Sequence, residues 1–242
     1  MMLDGVPILA KESTKLIELK IPCPRKNMSK KVDFFASLKN APNLTNLTLT
    51  RLENIKVTSL SEYLKDTNGN KLELPSVISL DISGLNQTLP QSILSDLKGL
   101  ECFTNLQTLT MNYTSKILDI SAIKECTTLK NVTLGYAHIQ SLNGLENLSN
   151  LQKLTLNDNN ISSLKPLENL KNLEELNLSN NTISDTSSYI DSDGNTKTYN
   201  NLEILANLNK NGKLKKLYLA GNENIINWSP LSSLKWTDKS GW

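Results

Sequence analysis

Histidine, cysteine and aromatic residues are scarce in this chain, and each scarcity removes a class of function. His138 is the one histidine among 242 residues, so no His-based metal cluster can form and no Ser or Cys has a paired imidazole base. His138 falls at a turn position matched by Asn160 and reads as an exposed polar residue. Cys23, Cys102 and Cys126 are odd in number and form no CxxC pair, which argues against a zinc site, a redox motif or a disulfide framework. Cys126 stands where later stretches have Leu148 and Leu170, and is expected to be a small buried core residue. Aromatics make up only 5% of the chain. No run of 18 apolar residues exists, so no membrane insertion is expected. Lys and Arg number 26 against 24 Asp and Glu, a net charge of +2. That balance gives no field for nucleic acid or an anionic membrane. Neither phosphate-cradling glycine motif is present. The start, "MMLDGVPILAKEST", has an acid where a signal peptide needs Lys or Arg, and "KWTDKSGW" at the end has no hydrophobic tail. The expectation is a protein without a cofactor and without enzymatic activity.

What the chain has in abundance is leucine and asparagine at a fixed interval. "LQKLTLNDNNISSLKPLENLKN" (151–172) is followed at Leu173 by "LEELNLSNNTISD". Aligned on the triplet Lxx(L/V)x(L/I/M), units begin at Leu16, Leu44, Val77, Leu106, Leu129, Leu151, Leu173 and Leu214, at intervals of 28, 33, 29, 23, 22, 22 and 41 residues. One unit cannot bury Leu151, Leu154, Leu156, Ile161, Leu164, Leu167 and Leu170 by itself. Stacked on its neighbours, it contributes to a continuous core. Alternation turns Leu154 and Leu156 inward and Lys153, Thr155 and Asn157 outward, and neighbouring strands should form a parallel sheet. Asn159, Asn181 and Asn222 come three residues after the last strand leucine, where a side-chain amide can serve the backbone of adjacent turns. Earlier units have Leu52, Leu85, Thr114 and Ala137 there, so less regular coils are expected in the N-terminal half. The return segments 160–170 and 225–234 align, with Leu164 on Trp228 and Pro166 on Pro230, and proline favours a short 3₁₀ segment over a long helix.

This spacing matches the leucine-rich-repeat pattern, and residues 129–184 and 214–234 resemble the 22-residue repeat of the internalins, surface proteins of Gram-positive bacteria. The resemblance implies an α/β repeat solenoid, curved, with a parallel concave sheet and a convex side of 3₁₀ and short helices. It also implies a module that binds a protein through the concave face. Internalins usually carry a helical N-terminal cap and an immunoglobulin-like domain after the repeats; about 15 residues precede the first unit here and 8 follow Leu234. The expected organisation is a lead-in at 1–15, a solenoid of about eight units at 16–236 with insertions near 58–76 and 185–212, and a tail at 237–242.

The two insertions share a device. "YIDSDGNTK" (189–197) and "YLKDTNGNK" (63–71) each look like two short strands about a turn, Asp193-Gly194 in one and Asn68-Gly69 in the other. Asn201 is expected to cap a helix that turns Leu202, Leu205 and Leu208 inward and ends near Gly212. Asp191, Asp193 and Asn195 have the opening spacing of a calcium loop, but position 12 is Leu202 and no glutamate closes it, so a turn is the stronger reading.

On the outward face the central column reads Lys20, Thr48, Asp81, Thr110, Thr133, Thr155, Asn177 and Tyr218. Three residues further on it reads Cys23, Arg51, Gly84, Tyr113, Tyr136, Asp158, Asn180 and Gly221. Tyr113 and Tyr136, 23 residues apart, should stand side by side. Rigid amphipathic rings are favoured anchors at interfaces. The candidate partner-binding residues are Arg51, Asp81, Tyr113, Tyr136, Lys153, Asp158, Glu175 and Tyr218. A monomer that takes a protein partner, on a cell surface or secreted, is expected; an intracellular scaffold or regulatory subunit is the alternative. Eleven N-x-[ST] sequons, several in expected strands, favour a bacterial source.

Overall fold

The computed structural model describes residues 2–3, 6–7, 9, 13–22, 31–50, 59–62, 64–66, 68–84, 94–114 and 117–232. Cys23, Arg51, Leu52, Tyr63, Leu85, Leu234 and the 237–242 tail lie outside the described residues.

Strands β1 (Met2–Leu3) and β2 (Val6–Pro7) pair with each other antiparallel. The coils then contribute one strand each: β3 (Glu18–Pro22), β4 (Asn46–Thr50), β5 (Ser79–Asp81), β6 (Thr108–Thr110), β7 (Asn131–Thr133), β8 (Lys153–Thr155) and β9 (Glu175–Asn177). A hairpin of β10 (Thr186–Ile190) and β11 (Thr196–Asn200) interrupts them before β12 (Lys216–Tyr218). Strands β3 to β9 and β12 form one eight-stranded parallel sheet whose spatial order is the chain order.

The repeat alignment is reproduced residue for residue. Leu19, Leu47, Leu80, Leu109, Val132, Leu154, Leu176 and Leu217 are cross-strand partners, and each is the middle member of an aligned triplet. From Leu47 onward all are buried. Their side chains join those of the return segments in one continuous apolar core. Cys126 is buried in that core as expected, and so is Cys102; both thiols are free. Burial pushes Cys102 up to about 11 and Cys126 to about 12, so neither is a thiolate at neutral pH.

The sheet does not share the irregularity expected of the N-terminal half. β3 and β4 pair over five residues, in register. The apolar triplet alone sets this register, since slipping by one residue would turn every leucine outward. The irregularity lies in the return segments. Helix α1 (Lys31–Ser37) fills the first, bringing Phe34 and Phe35 into the core edge to face, 5.0 Å between centroids. Several later return segments hold short 3₁₀ turns, among them Lys165–Leu167 and Ser229–Leu231, each holding its proline near the start as the alignment anticipated.

The asparagine ladder is present. Asn159 is buried; its Oδ1 accepts from the amides of Ala137 (3.2 Å) and Ile139 (2.9 Å), and its Nδ2 donates to the carbonyls of Leu134 (2.7 Å) and Leu156 (3.0 Å). Asn181 accepts from Ile161 N and donates to Leu156 O and Leu178 O. Asn222 accepts from Ile183 N and donates to Leu178 O and Leu219 O. Each amide thus binds its own turn and the preceding one. In the coils before Asn159 the ladder position holds Thr114 and Ala137, both buried.

One assignment shifts by a residue. The cap of helix α2 (Asn201–Leu208) is Asn200, whose side chain accepts from Leu202 N (2.8 Å) and Glu203 N (3.1 Å). Asn201 is instead fully buried under the hairpin, accepting from Leu164 N and donating to Ser162 O, Ser184 O and Ser187 Oγ. Two adjacent asparagines competed for one role, and the outer one caps because β11 runs to Asn200 in extended conformation. Leu202, Leu205 and Leu208 turn inward as expected, joined by Ile204.

Both insertions hold the same turn. Asp191 N donates to Asn195 O and Gly194 N to Asp191 O, while Asp191 Oδ1 accepts from the amides of Asp193 (3.0 Å) and Asn195 (2.8 Å). Asp66 does the same with Asn68, Gly69 and Asn70. Among the described residues only the glycine of each turn has positive φ (Gly69 85°, Gly194 80°), so these are three-residue loops rather than two-residue primed turns. Asp191 Oδ2 faces Lys197 Nζ at 3.6 Å. With its oxygens committed to backbone amides and a lysine, Asp191 has little to offer a cation. Millimolar calcium is therefore expected to leave the melting temperature unchanged; a saturable rise that Asp191→Ala abolishes would overturn the turn reading.

Candidate functional site

The residues proposed for binding that are described fall in four separate places on the outward face. Asp81 lies in the central column of β5, where its carboxylate accepts from Ser83 N at 3.0 Å and serves its own turn. Tyr218, half-buried, is in the same column on β12, five strand spacings or about 24 Å away. Lys153 and Glu175 are cross-strand partners in the first column of β8 and β9. Their charged groups are 2.8 Å apart, and Lys216 approaches Glu175 from the other side at 3.6 Å. The hydrogen bond from Lys153 holds the Glu175 carboxyl below its usual range. These three groups therefore satisfy one another, and sequence alignment by columns could have paired them. Arg51 lies outside the described residues.

Tyr113, Tyr136 and Asp158 come together. They occupy one position of consecutive coils, just past the ends of β6, β7 and β8, with φ of 59°, 56° and 56°. Asn180 and Gly221 continue this left-handed row at 55° and 74°. The turn geometry imposes it: the amide of each residue donates to a carbonyl of the next coil, Tyr113 to Gly135 and Tyr136 to Asn157 at 3.1 Å, Asp158 to Ser179 at 3.0 Å and Asn180 to Ala220 at 2.7 Å. Asp, Asn and Gly tolerate that conformation; a bulky tyrosine is uncommon there, and such strain costs on the order of 1–3 kcal/mol.

The two rings stack, with centroids 4.7 Å apart and planes inclined by 19°. That separation equals the spacing of neighbouring strands, so the sheet register brings the rings into contact. Gly84 precedes Tyr113 in the row. A Cβ there would lie 2.4 Å from the Tyr113 carbonyl oxygen, so glycine is required for the coil to close under the tyrosine. On the other side Asp158 follows Tyr136 in the row, and its charge pushes the phenol up. Asp158 accepts from Asn157 Nδ2 (2.6 Å) and Asn180 Nδ2 (3.0 Å). Asn157 was not among the candidate residues, and Asn180 was recognised only as a member of the row; both grip the carboxylate.

His138 is exposed with φ 58° and lies 3.4 Å from Asn160 Oδ1, apart from this cluster. On the opposite side, the hairpin is tied down: Ser187 Oγ donates to Ser162 O (2.7 Å), Tyr199 hydrogen-bonds Ser163, and Lys165 Nζ lies 5.6 Å from the Tyr189 ring centroid. Among the described residues, no helix is long and apolar enough to cross a membrane.

The family model for Leucine Rich repeats (2 copies) matches residues 149–191. No curated protein matches the chain. Among solved structures, internalin C2 of Listeria monocytogenes is similar at 23% identity, with a TM-score of 0.50, over 83% of this chain and 80% of that one. An internalin, inlF, of the same organism aligns at 18% identity and TM-score 0.40, over 93% of this chain and 86% of that one. Human 5T4 aligns at 18% identity and TM-score 0.44, over 83% and 65%. The chain folds as a leucine-rich-repeat solenoid, and its fold resembles that of internalin C2. Proteins of this repeat class are typically protein-interaction modules.

Proposed function

We propose that this chain is a non-enzymatic binding module of a bacterial cell-surface or secreted protein, and that it takes its protein partner on the outward face of the sheet. The observation that carries the reading is the Tyr113–Tyr136 stack, held at two positions where neighbouring coils use Asp, Asn and Gly. Local conformational preference opposes tyrosine there, and the half-buried rings add nothing to the core. What they do provide is a rigid apolar surface with polar tips, the chemistry enriched where partners gain most of their binding energy. The surface or secreted location rests on the internalin-like repeat and on the sequons in strands. Asn46 and Asn131, both sequon residues, lie in β4 and β7. The buried free thiols Cys102 and Cys126 favour the second reading, an intracellular scaffold in a reducing compartment. Protease shaving of intact producing cells separates the two.

Binding is tested with the immobilised protein presented to solubilised host-cell surface proteins. Tyr136→Ala should weaken any captured partner by roughly 1–4 kcal/mol without changing the melting temperature. Lys124→Ala, in the exposed part of the Ser121–Glu125 turn, is the control on the opposite side. Lys165 is unsuited to that use because it packs on Tyr189. Equal capture by Tyr136→Ala would move the site off the sheet.

A further inference from the structure

Asp158 is a carboxylate that no cation of the described residues neutralises. Its two hydrogen-bond partners, Asn157 Nδ2 and Asn180 Nδ2, are neutral. Among the described residues it enters none of the ion pairs. The other candidate carboxylates of the face differ: Glu175 sits between two lysines, and Asp81 serves its own turn. Two donors take two of about four lone-pair sites on a carboxylate, which leaves room for an incoming donor. Beside it stand two stacked rings whose π faces attract positive charge. Carboxylate and rings therefore ask for the same sign of charge, and this face presents Asp158 and Tyr136 on adjacent coils, with Tyr113 one coil further on.

We propose that the Tyr113–Tyr136–Asp158 corner receives a cationic side chain of the partner, an arginine, with its guanidinium against Tyr136 and one N–H donated to Asp158. The proposal rests on the outward face being the binding face. Arginine is preferred to lysine because its planar guanidinium is weakly hydrated and stacks on aromatic rings while still donating sideways. The asparagines hold the carboxylate in place before the partner arrives, so little side-chain freedom is lost on binding.

The test titrates the whole chain, with tyrosine rings and asparagine side-chain amides followed by NMR, using tetra-arginine and, separately, tetra-citrulline, its neutral isostere. Tetra-arginine should shift the Tyr113, Tyr136 and Asn180 signals saturably. Tetra-citrulline should bind at least about tenfold more weakly, as expected for losing about 1.4 kcal/mol. Asp158→Asn keeps a residue that tolerates φ 56° and so keeps the turn, and should abolish the preference for arginine. Equal shifts from both peptides, an undiminished preference in Asp158→Asn, or shifts from a neutral disaccharide such as maltose but not from arginine would each overturn the proposal. The result is independent of partner capture. If tetra-arginine fails while Tyr136→Ala still abolishes capture, the cation site falls and the binding face stands. If tetra-arginine binds as described but Tyr136→Ala leaves capture intact, the binding face falls and the cation site stands.

Discussion

Leu154→Ala is expected to lower the unfolding free energy by about 2–5 kcal/mol, measured by chemical denaturation. The side chain is fully buried, and its strand pairs in register with β7 on one side and β9 on the other. Val132 and Leu176 are its partners, and both are fully buried. The cavity would therefore open inside the solenoid, where two flanking coils held by strand pairing cannot collapse onto it. Each coil of a repeat protein is stabilised by its neighbours, so a gap between coils also weakens the interface that couples the two halves. The unfolding transition should broaden as well as shift, because coils on either side can then lose structure separately. An unchanged midpoint would mean that Leu154 is not where the register places it.

That register was the most legible feature of the sequence, for a physical reason. The leucine triplet recurs eight times, and each recurrence constrains the same core, so an error in one unit would be exposed by the next. The cross-strand partners Lys20, Thr48, Asp81, Thr110, Thr133, Thr155, Asn177 and Tyr218 reproduce the aligned column throughout. Column alignment also placed Tyr113 beside Tyr136. What it could not give was conformation: the tyrosines follow the strand ends in a left-handed turn, a property of the inter-coil hydrogen bonds rather than of any residue preference. Features that occur once were least legible. Asn200 and Asn201 are chemically identical, and only the end of β11 decides which of them caps α2. Helix α1 in the first return segment is matched by α2 in the stretched unit before β12, not by the regular 22-residue coils from which the repeat is read, so comparing those coils does not reveal it. The mutual pairing of Lys153, Glu175 and Lys216 was available from the columns, but residues read singly as contacts conceal that they satisfy each other.

Asn159→Ala should destabilise the protein by about 3 kcal/mol, more than Asn181→Ala, although the two asparagines are buried to the same 7% exposure. The difference lies in the amides they serve. Asn159 Oδ1 accepts from both Ala137 N and Ile139 N, whereas Asn181 Oδ1 accepts from Ile161 N. Among the described residues the two amides at 137 and 139 have no other acceptor, and leaving a buried donor unsatisfied costs about 1–3 kcal/mol each, part of which water entering the cavity returns. No earlier coil can share the load, because the ladder position above Asn159 is Ala137 and the one before that is Thr114. Asn159 therefore closes the ladder by itself, while Asn181 has an amide rung on either side. Asn159→Asp separates acceptance from donation. It keeps an oxygen for the two amides but turns the other toward the carbonyls of Leu134, Leu156 and Asn157, at 2.7, 3.0 and 3.2 Å from the present nitrogen. A carboxylate there is repelled, and its folded-state pKa must rise above the unfolded value. The variant should accordingly be as unstable as Asn159→Ala at neutral pH and regain stability as the pH falls through that raised pKa and the group gains a proton to donate. Equal losses for Asn159→Ala and Asn181→Ala, or an Asn159→Asp variant indifferent to pH between neutrality and the carboxylate range, would show that these asparagines fill space rather than satisfy the backbone.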